Sequence, residues 1–213
     1  AMDVEASHPY VPEWLDLAGY VAPEHGALEL CAIMGTAVVL VLALACTVLR
    51  RRVRGTELAA ALWFVLCGTM HCTFELYFVL HYRGLAARRD VVASMWKEYA
   101  KSDSRYMQGG TGNFAPVLAQ EASTVFVTRR SAVRELSQLA ASVMHMQSVL
   151  LYFGAELLAR EPSCRPEPQY FYVYFVGANL PWLVVPLVLA TSSVTRMRAQ
   201  MAIARAAEKT HTL

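Results

Sequence analysis

The stretch Leu30–Leu49, LCAIMGTAVVLVLALACTVL, runs for 20 residues without one Asp, Glu, Lys or Arg. At about 1.5 Å of rise per residue, a helix of that length matches the roughly 30 Å hydrocarbon core of a bilayer. Three other stretches share its character. Leu58–Phe74 is free of those charges and continues past the single Glu75 to Leu80, Leu136–Ala155 is a third such gap, and Pro168–Thr195 is the longest. The whole chain agrees: 56% of its 213 residues are hydrophobic and 17% charged, against roughly 45–50% and about 25% in soluble domains. A formal net charge of +2 is too small to point to a nucleic-acid partner.

A fifth apolar segment, Asn113–Thr128, holds Pro116, Gln120 and Glu121 within 16 residues, about 24 Å of helix. Basic residues weigh on its side, since Lys and Arg collect on the cytoplasmic face. With five spans, one face receives the basic groups at Arg50–Arg54, at Arg129, Arg130 and Arg134, and from Arg196 to Lys209, 11 of the 19 basic residues. The expected fold is therefore an all-α membrane protein, a five-helix transmembrane bundle with a shortened third helix. The chain reads as one integral-membrane domain over residues 1–213. Its spans are expected at about 28–49, 57–80, 113–128, 135–159 and 170–195, before a basic, amphipathic, frayed tail at 196–213. The first 26 residues carry five acidic residues and no Lys or Arg, the wrong sign for a signal peptide. Span one is thus expected to act as the targeting signal.

Of the five cysteines, Cys31, Cys46, Cys67 and Cys72 lie in apolar stretches and Cys164 in a polar one. With no C-x-x-C, they read as small core residues rather than a disulfide framework or zinc site.

Ionisable groups at membrane depth cost a few kcal/mol and mark function or a satisfied partner. His71 and Glu75 stand four apart in span two, on one helical face. Glu121 and Thr124 are three apart on the short segment, and Asn179 and Trp182 are three apart in span five beside Pro181 and Pro186. Two carboxylates and an imidazole that converge in a dry pocket suit proton transfer, and a tryptophan face suits a cation. A self-satisfied structural pair, or a proton-coupled transporter, would use the same His and Glu. His145 and Gln147 are expected to hydrogen-bond between helices. The aromatic run Tyr170–Phe175 reads as an interfacial belt and His81 as interfacial, and Arg129, Arg130 and Arg134 read as topology determinants.

The run Trp96-Lys97-Glu98-Tyr99-Ala100-Lys101-Ser102-Asp103-Ser104-Arg105-Tyr106 closely resembles the WKEY(A/S)KGDSRY signature of the emopamil-binding protein family, the 3-beta-hydroxysteroid 8(9)-to-7(8) isomerases. His8-Pro9-Tyr10 resembles the family's N-terminal motif. Gly68–Val79 is similar to its G-x-x-H-x-x-x-E-x-(W/Y)-F-V segment. Leu151-Tyr152-Phe153 and Gly177–Trp182 complete the series. The resemblance implies a five-helix protein of the endoplasmic reticulum membrane, with a cytoplasmic C-terminal tail, that moves a sterol ring double bond. A proton is added at carbon 9, a tertiary cation forms at carbon 8, and a proton leaves carbon 7. It also implies His71, Glu75 and Glu121 as catalytic residues and Thr124, Asn179 and Trp182 as substrate-binding residues. Lipophilic amines should act as inhibitors by mimicking the cation. No metal or organic cofactor is expected, because the reaction has no net redox change. A homodimer is compatible with these residues but not required by them.

The chain departs from the family in three places. The segment after Thr124 lacks most of the second half of the third span. The family's Q-x-Y-G-D reads His145-Met146-Gln147-Ser148-Val149 here, and Ser102 replaces a glycine. These changes keep two alternatives open: a non-catalytic membrane protein that binds sterols and lipophilic amines, and a relative acting on a terpenoid or other polycyclic lipid.

Overall fold

A computed structural model describes residues 8–109 and 132–211. Among them the chain is all helical, with no strand. Helix α1 (Ala27–Leu49) is the first charge-poor stretch, ended by the run Arg50-Arg51-Arg52. Apart from Leu30 it buries nothing in the protein, so its apolar surface is left facing outward. Helix α2 (Gly55–Met70) starts at Gly55, whose φ of 57° is a left-handed conformation that favours glycine. It passes into a π-helical turn at His71–Glu75, then α3 (Leu76–His81) and a 3-10 turn at Tyr82–Ala87.

Asp90 caps α4 (Val91–Tyr99) by accepting the Ala93 amide at 3.0 Å. Helix α5 (Ala132–Leu157) and α6 (Pro181–His211) lie against each other. Small residues, Ala141, Ser142, Ala190 and Ser193, are buried on these helices and allow close approach. There the Gln138 amide donates to the Leu189 carbonyl at 3.2 Å and to Ser193 Oγ at 2.9 Å. A π-helical segment, Gln169–Gly177, leads toward α6. At its last position, Gly177, a Cβ would lie 3.0 Å from the Tyr172 carbonyl oxygen one π-turn back, a tight contact.

Among the described residues, three helical stretches are long and apolar enough to cross a membrane: Ala27–Leu49, Gly55–Ala87 and Gln169–Lys209. The expected span at 135–159 is helical within α5, but Gln138, His145 and Gln147 keep it out of that set. The expected segment at 113–128 lies outside the described residues.

Several expectations need correction. Cys31 and Cys72 are exposed, Cys46 is half-buried, and only Cys67 and Cys164 are buried. Apolar neighbours in sequence do not imply burial when the helix faces lipid. The tail, expected as a helix, is helical and continuous with α6 to His211. The run at 170–175 is no uniform belt: Tyr170 and Phe175 are buried while Phe171, Tyr172 and Val173 are exposed. Arg134 is buried and lies 3.8 Å from Glu57, which ties α5 to α2.

The core is aromatic. Trp96 stacks on Phe74 with ring centroids 4.3 Å apart, and Phe78, Tyr99 and Tyr106 surround it. Tyr152 and Phe175 extend the cluster.

Candidate active site

Trp63, Cys67, His71 and Glu75 recur every fourth residue along α2 and its π-turn. In a regular α-helix each such step drifts by about 40°. The wider winding of the π-turn offsets that drift between His71 and Glu75, and such turns are frequent at functional sites. The turn is held from outside. The Trp96 indole N–H donates to the Phe74 carbonyl at 3.0 Å while its ring covers the Phe74 ring.

His71 is 1% exposed, and its Nδ1 lies 2.6 Å from Glu75 Oε2. Its Nε2 lies 3.1 Å from Nε2 of His145, which α5 supplies and which is 2% exposed. With Glu75 as a carboxylate and both imidazoles neutral, the His71 proton sits on Nδ1 and donates to it. Nε2 of His71 then accepts, so His145 carries its proton on Nε2. That leaves His145 Nδ1 as a buried acceptor without a hydrogen-bond partner among the described residues. The interhelical role expected of His145 is thus a bond to the site histidine itself. Gln147, expected to act similarly, is exposed.

The remaining predicted residues flank this chain of groups. The Asn179 amide donates to Tyr99 Oη at 2.8 Å and to the Phe175 carbonyl at 2.7 Å. Burial pushes the Tyr99 hydroxyl up to about 12, and the charge of Glu75 adds to the rise. Asn179 is therefore tied to Tyr99, a hydroxyl that feels the charge of Glu75. Trp182 packs on Trp63 with ring centroids 5.3 Å apart, two steps along the stripe from His71. Glu121 and Thr124 lie outside the described residues.

Sequence reasoning did not reach Tyr99, Trp96 or Cys67 as parts of the site. Trp96 and Tyr99 stood in view within the signature, but as marks of resemblance rather than as partners. Cys67 has a local signal, the four-residue step to His71, which becomes meaningful only when His145 arrives from 74 residues away.

The site offers a carboxylate and two imidazoles able to exchange protons, beside aromatic faces, in an apolar helical setting. An EXPERA (EXPanded EBP superfamily) model matches residues 117–193. A 3-beta-hydroxysteroid-Delta(8),Delta(7)-isomerase of Cavia porcellus is 30% identical over 207 residues, covering 88% of this chain and 87% of its own. A probable enzyme of the same name from Arabidopsis thaliana is 27% identical over 213 residues, covering 94% and 93%. An isomeliandiol synthase of Ailanthus altissima is 27% identical over 144 residues, covering 63% and 68%.

Proposed function

This chain belongs to the emopamil-binding protein family within the EXPERA superfamily, and from that premise we propose that it is a sterol isomerase moving a double bond from the 8(9) to the 7(8) position. The observation that carries the proposal is Glu75 held at 2.6 Å by a buried histidine on an otherwise apolar helix. A proton added at carbon 9 generates a cation at carbon 8, and loss of the carbon 7 proton completes the shift. One proton enters and one leaves, so the residues return to their starting states.

Glu75 and Glu121 supply the negative field that favours the cation over the neutral sterol, which is differential stabilisation of the transition state. His71 fixes Glu75 through Nδ1 and holds or relays its proton. Glu75 is 14% exposed, open enough to meet a ligand without being fully solvated. Trp182 offers its π face to the cation. Asn179 orients the carboxylate region through Tyr99, and the family resemblance alone assigns Thr124 the matching role toward Glu121. The chain would form a five-helix bundle in the endoplasmic reticulum membrane, with the end of α6 in the cytoplasm. Lipophilic amines would occupy the pocket as mimics of the cation.

The test is incubation of membranes carrying this chain with an 8(9)-unsaturated sterol in heavy water. The expected product has the shifted double bond and deuterium at carbon 9. Tight amine binding without conversion overturns the isomerase in favour of a non-catalytic binding protein. The likeness to an isomeliandiol synthase supports a second reading, a terpenoid substrate on the same site, and conversion of a terpenoid in place of the sterol would select it.

A further inference from the structure

Cys67, His71 and His145 are all buried, and their ligand atoms lie within 4.8 Å of one another. Two of them, the Nε2 atoms of the histidines, are 3.1 Å apart. We propose that these three side chains form a binding site for one zinc-type divalent ion, with Glu75 as the group behind it that orients His71.

The geometry is near that of a metal site. Two imidazole nitrogens at about 2.0–2.1 Å from a tetrahedral ion stand about 3.4 Å apart, and a thiolate at about 2.3 Å stands about 3.5 Å from each. The histidines need to part by about 0.3 Å, and the sulfur needs to close by about 1 Å or somewhat more at its longest separation. Side-chain rotation supplies movement of that order without moving a helix. The orientation also fits. A metal-bound histidine commonly donates its other ring N–H to a carboxylate, which fixes its tautomer. His71 already makes that bond to Glu75, so its Nε2 lone pair is free of the carboxylate and faces His145, with the Cys67 sulfur within 4.8 Å.

Charge decides which ion the site takes. A divalent ion, the Cys67 thiolate and the Glu75 carboxylate sum to zero, the balance a low-dielectric interior requires. One thiolate with two imidazoles is a zinc-type donor set with a fourth position left open. Proton balance closes as well. Cys67 loses its proton to solvent. His145 shifts its proton from Nε2 to Nδ1, the buried atom with no partner among the described residues. Loading thus releases one proton, exchanges the bond between the histidines for two metal bonds, and breaks no bond at His145 Nδ1.

The test uses the full chain in detergent, free of affinity histidines, stripped with chelator and titrated with Co2+. The wild type should bind one ion, with intense four-coordinate visible absorption and a near-ultraviolet thiolate-to-cobalt charge-transfer band. Cys67→Ser should lose that band, and Cys72→Ser, at an exposed position of the same helix, should keep it. Glu75→Gln should weaken Co2+ binding about 10–100-fold, and His145→Gln, which removes a ligand, should weaken it further. Zn2+ should raise the thermal midpoint of the wild type and not that of Cys67→Ser. Absence of the band in the wild type, or its persistence in Cys67→Ser, overturns the site. These readouts follow the ion and not the sterol, so the site is tested separately from the isomerase proposal; on that reading the ion-loaded form, with the Glu75 charge balanced and His71 coordinated, is the inactive form of the enzyme.

Discussion

The stripe from Trp63 to Glu75 and the segment from Trp96 to Arg105 both bury polar side chains, and they satisfy them differently. In the second region most partners are backbone. Lys97 Nζ donates to the carbonyls of Val21 and Arg88 at 2.6 and 2.5 Å. The Ser102 hydroxyl donates to the Tyr99 carbonyl, and that of Ser104 to the Val11 carbonyl. Tyr10 closes the arrangement by donating to the Lys97 carbonyl at 3.1 Å. In the stripe the partners are themselves titratable, with His71 between Glu75 and His145. A bond to a carbonyl fixes shape, whereas a bond between two groups of comparable proton affinity can exchange a proton. Apart from Trp96 and Tyr99, which touch the site, the signature segment is thus scaffold, tying the N-terminal segment to the rest, and the stripe is the place for chemistry.

The sharpest way to break this division is Glu75→Gln. It keeps the hydrogen-bond acceptor but not the charge, and sterol turnover, followed as product formation, should fall about 10²–10⁴-fold with the thermal midpoint little changed. A comparable loss of turnover per folded molecule from a scaffold substitution would erase the contrast.

Asp103→Asn tests the scaffold side. Asp103 is fully buried and pairs with Arg105 through two oxygens at 2.8 and 2.6 Å. Removing one partner of a buried ion pair costs about 3–5 kcal/mol, readable as a lowered unfolding midpoint, while turnover per folded molecule should hold.

Trp96→Phe probes the junction between the regions. It keeps an aromatic ring over Phe74 but leaves the Phe74 carbonyl without the indole donor, at a cost of about 1–3 kcal/mol. Because that carbonyl belongs to the π-turn, this variant should lower both the unfolding midpoint and kcat, unlike Asp103→Asn.

Lys97 gives the smallest effect and one with a sign. Burial pushes its ammonium down to about 8 from the usual 10.5. Between those values the unfolded chain binds more protons than the folded one, so this group's contribution to stability rises with pH across that window. The thermal midpoint of the wild type relative to Lys97→Met should therefore shift upward from pH 8 to pH 10. A flat difference would mean that Lys97 is not desolvated.

How much of this was legible in sequence follows from the range of each interaction. Charge-free runs located α1, α2, α5 and the helix starting near Gln169, because membrane cost is a property of the local segment. The spacing of His71 and Glu75 was legible for the same reason. The bond from His71 to His145 joins residues 74 apart and left no local trace. The π-turn leaves no spacing signal, since its support comes from Trp96 on another helix. Burial of cysteines failed as an inference because a helix apolar enough to cross a membrane is apolar all round, so hydrophobicity no longer distinguishes inside from outside. Arg134, read as a topology determinant, stands at the start of α5, and its pairing with Glu57 at the start of α2 was not legible, since the two are far apart in sequence.

The central claim is that a buried carboxylate makes a positive charge on a polycyclic lipid tolerable. The direct measurement compares binding of a sterol-like ammonium with that of its neutral carbon isostere, in the wild type and in Glu75→Gln. The wild type should prefer the ammonium by at least about tenfold, about 1.4 kcal/mol, and Glu75→Gln should bind the two nearly alike. An ammonium preference unchanged by the loss of that charge would contradict the account.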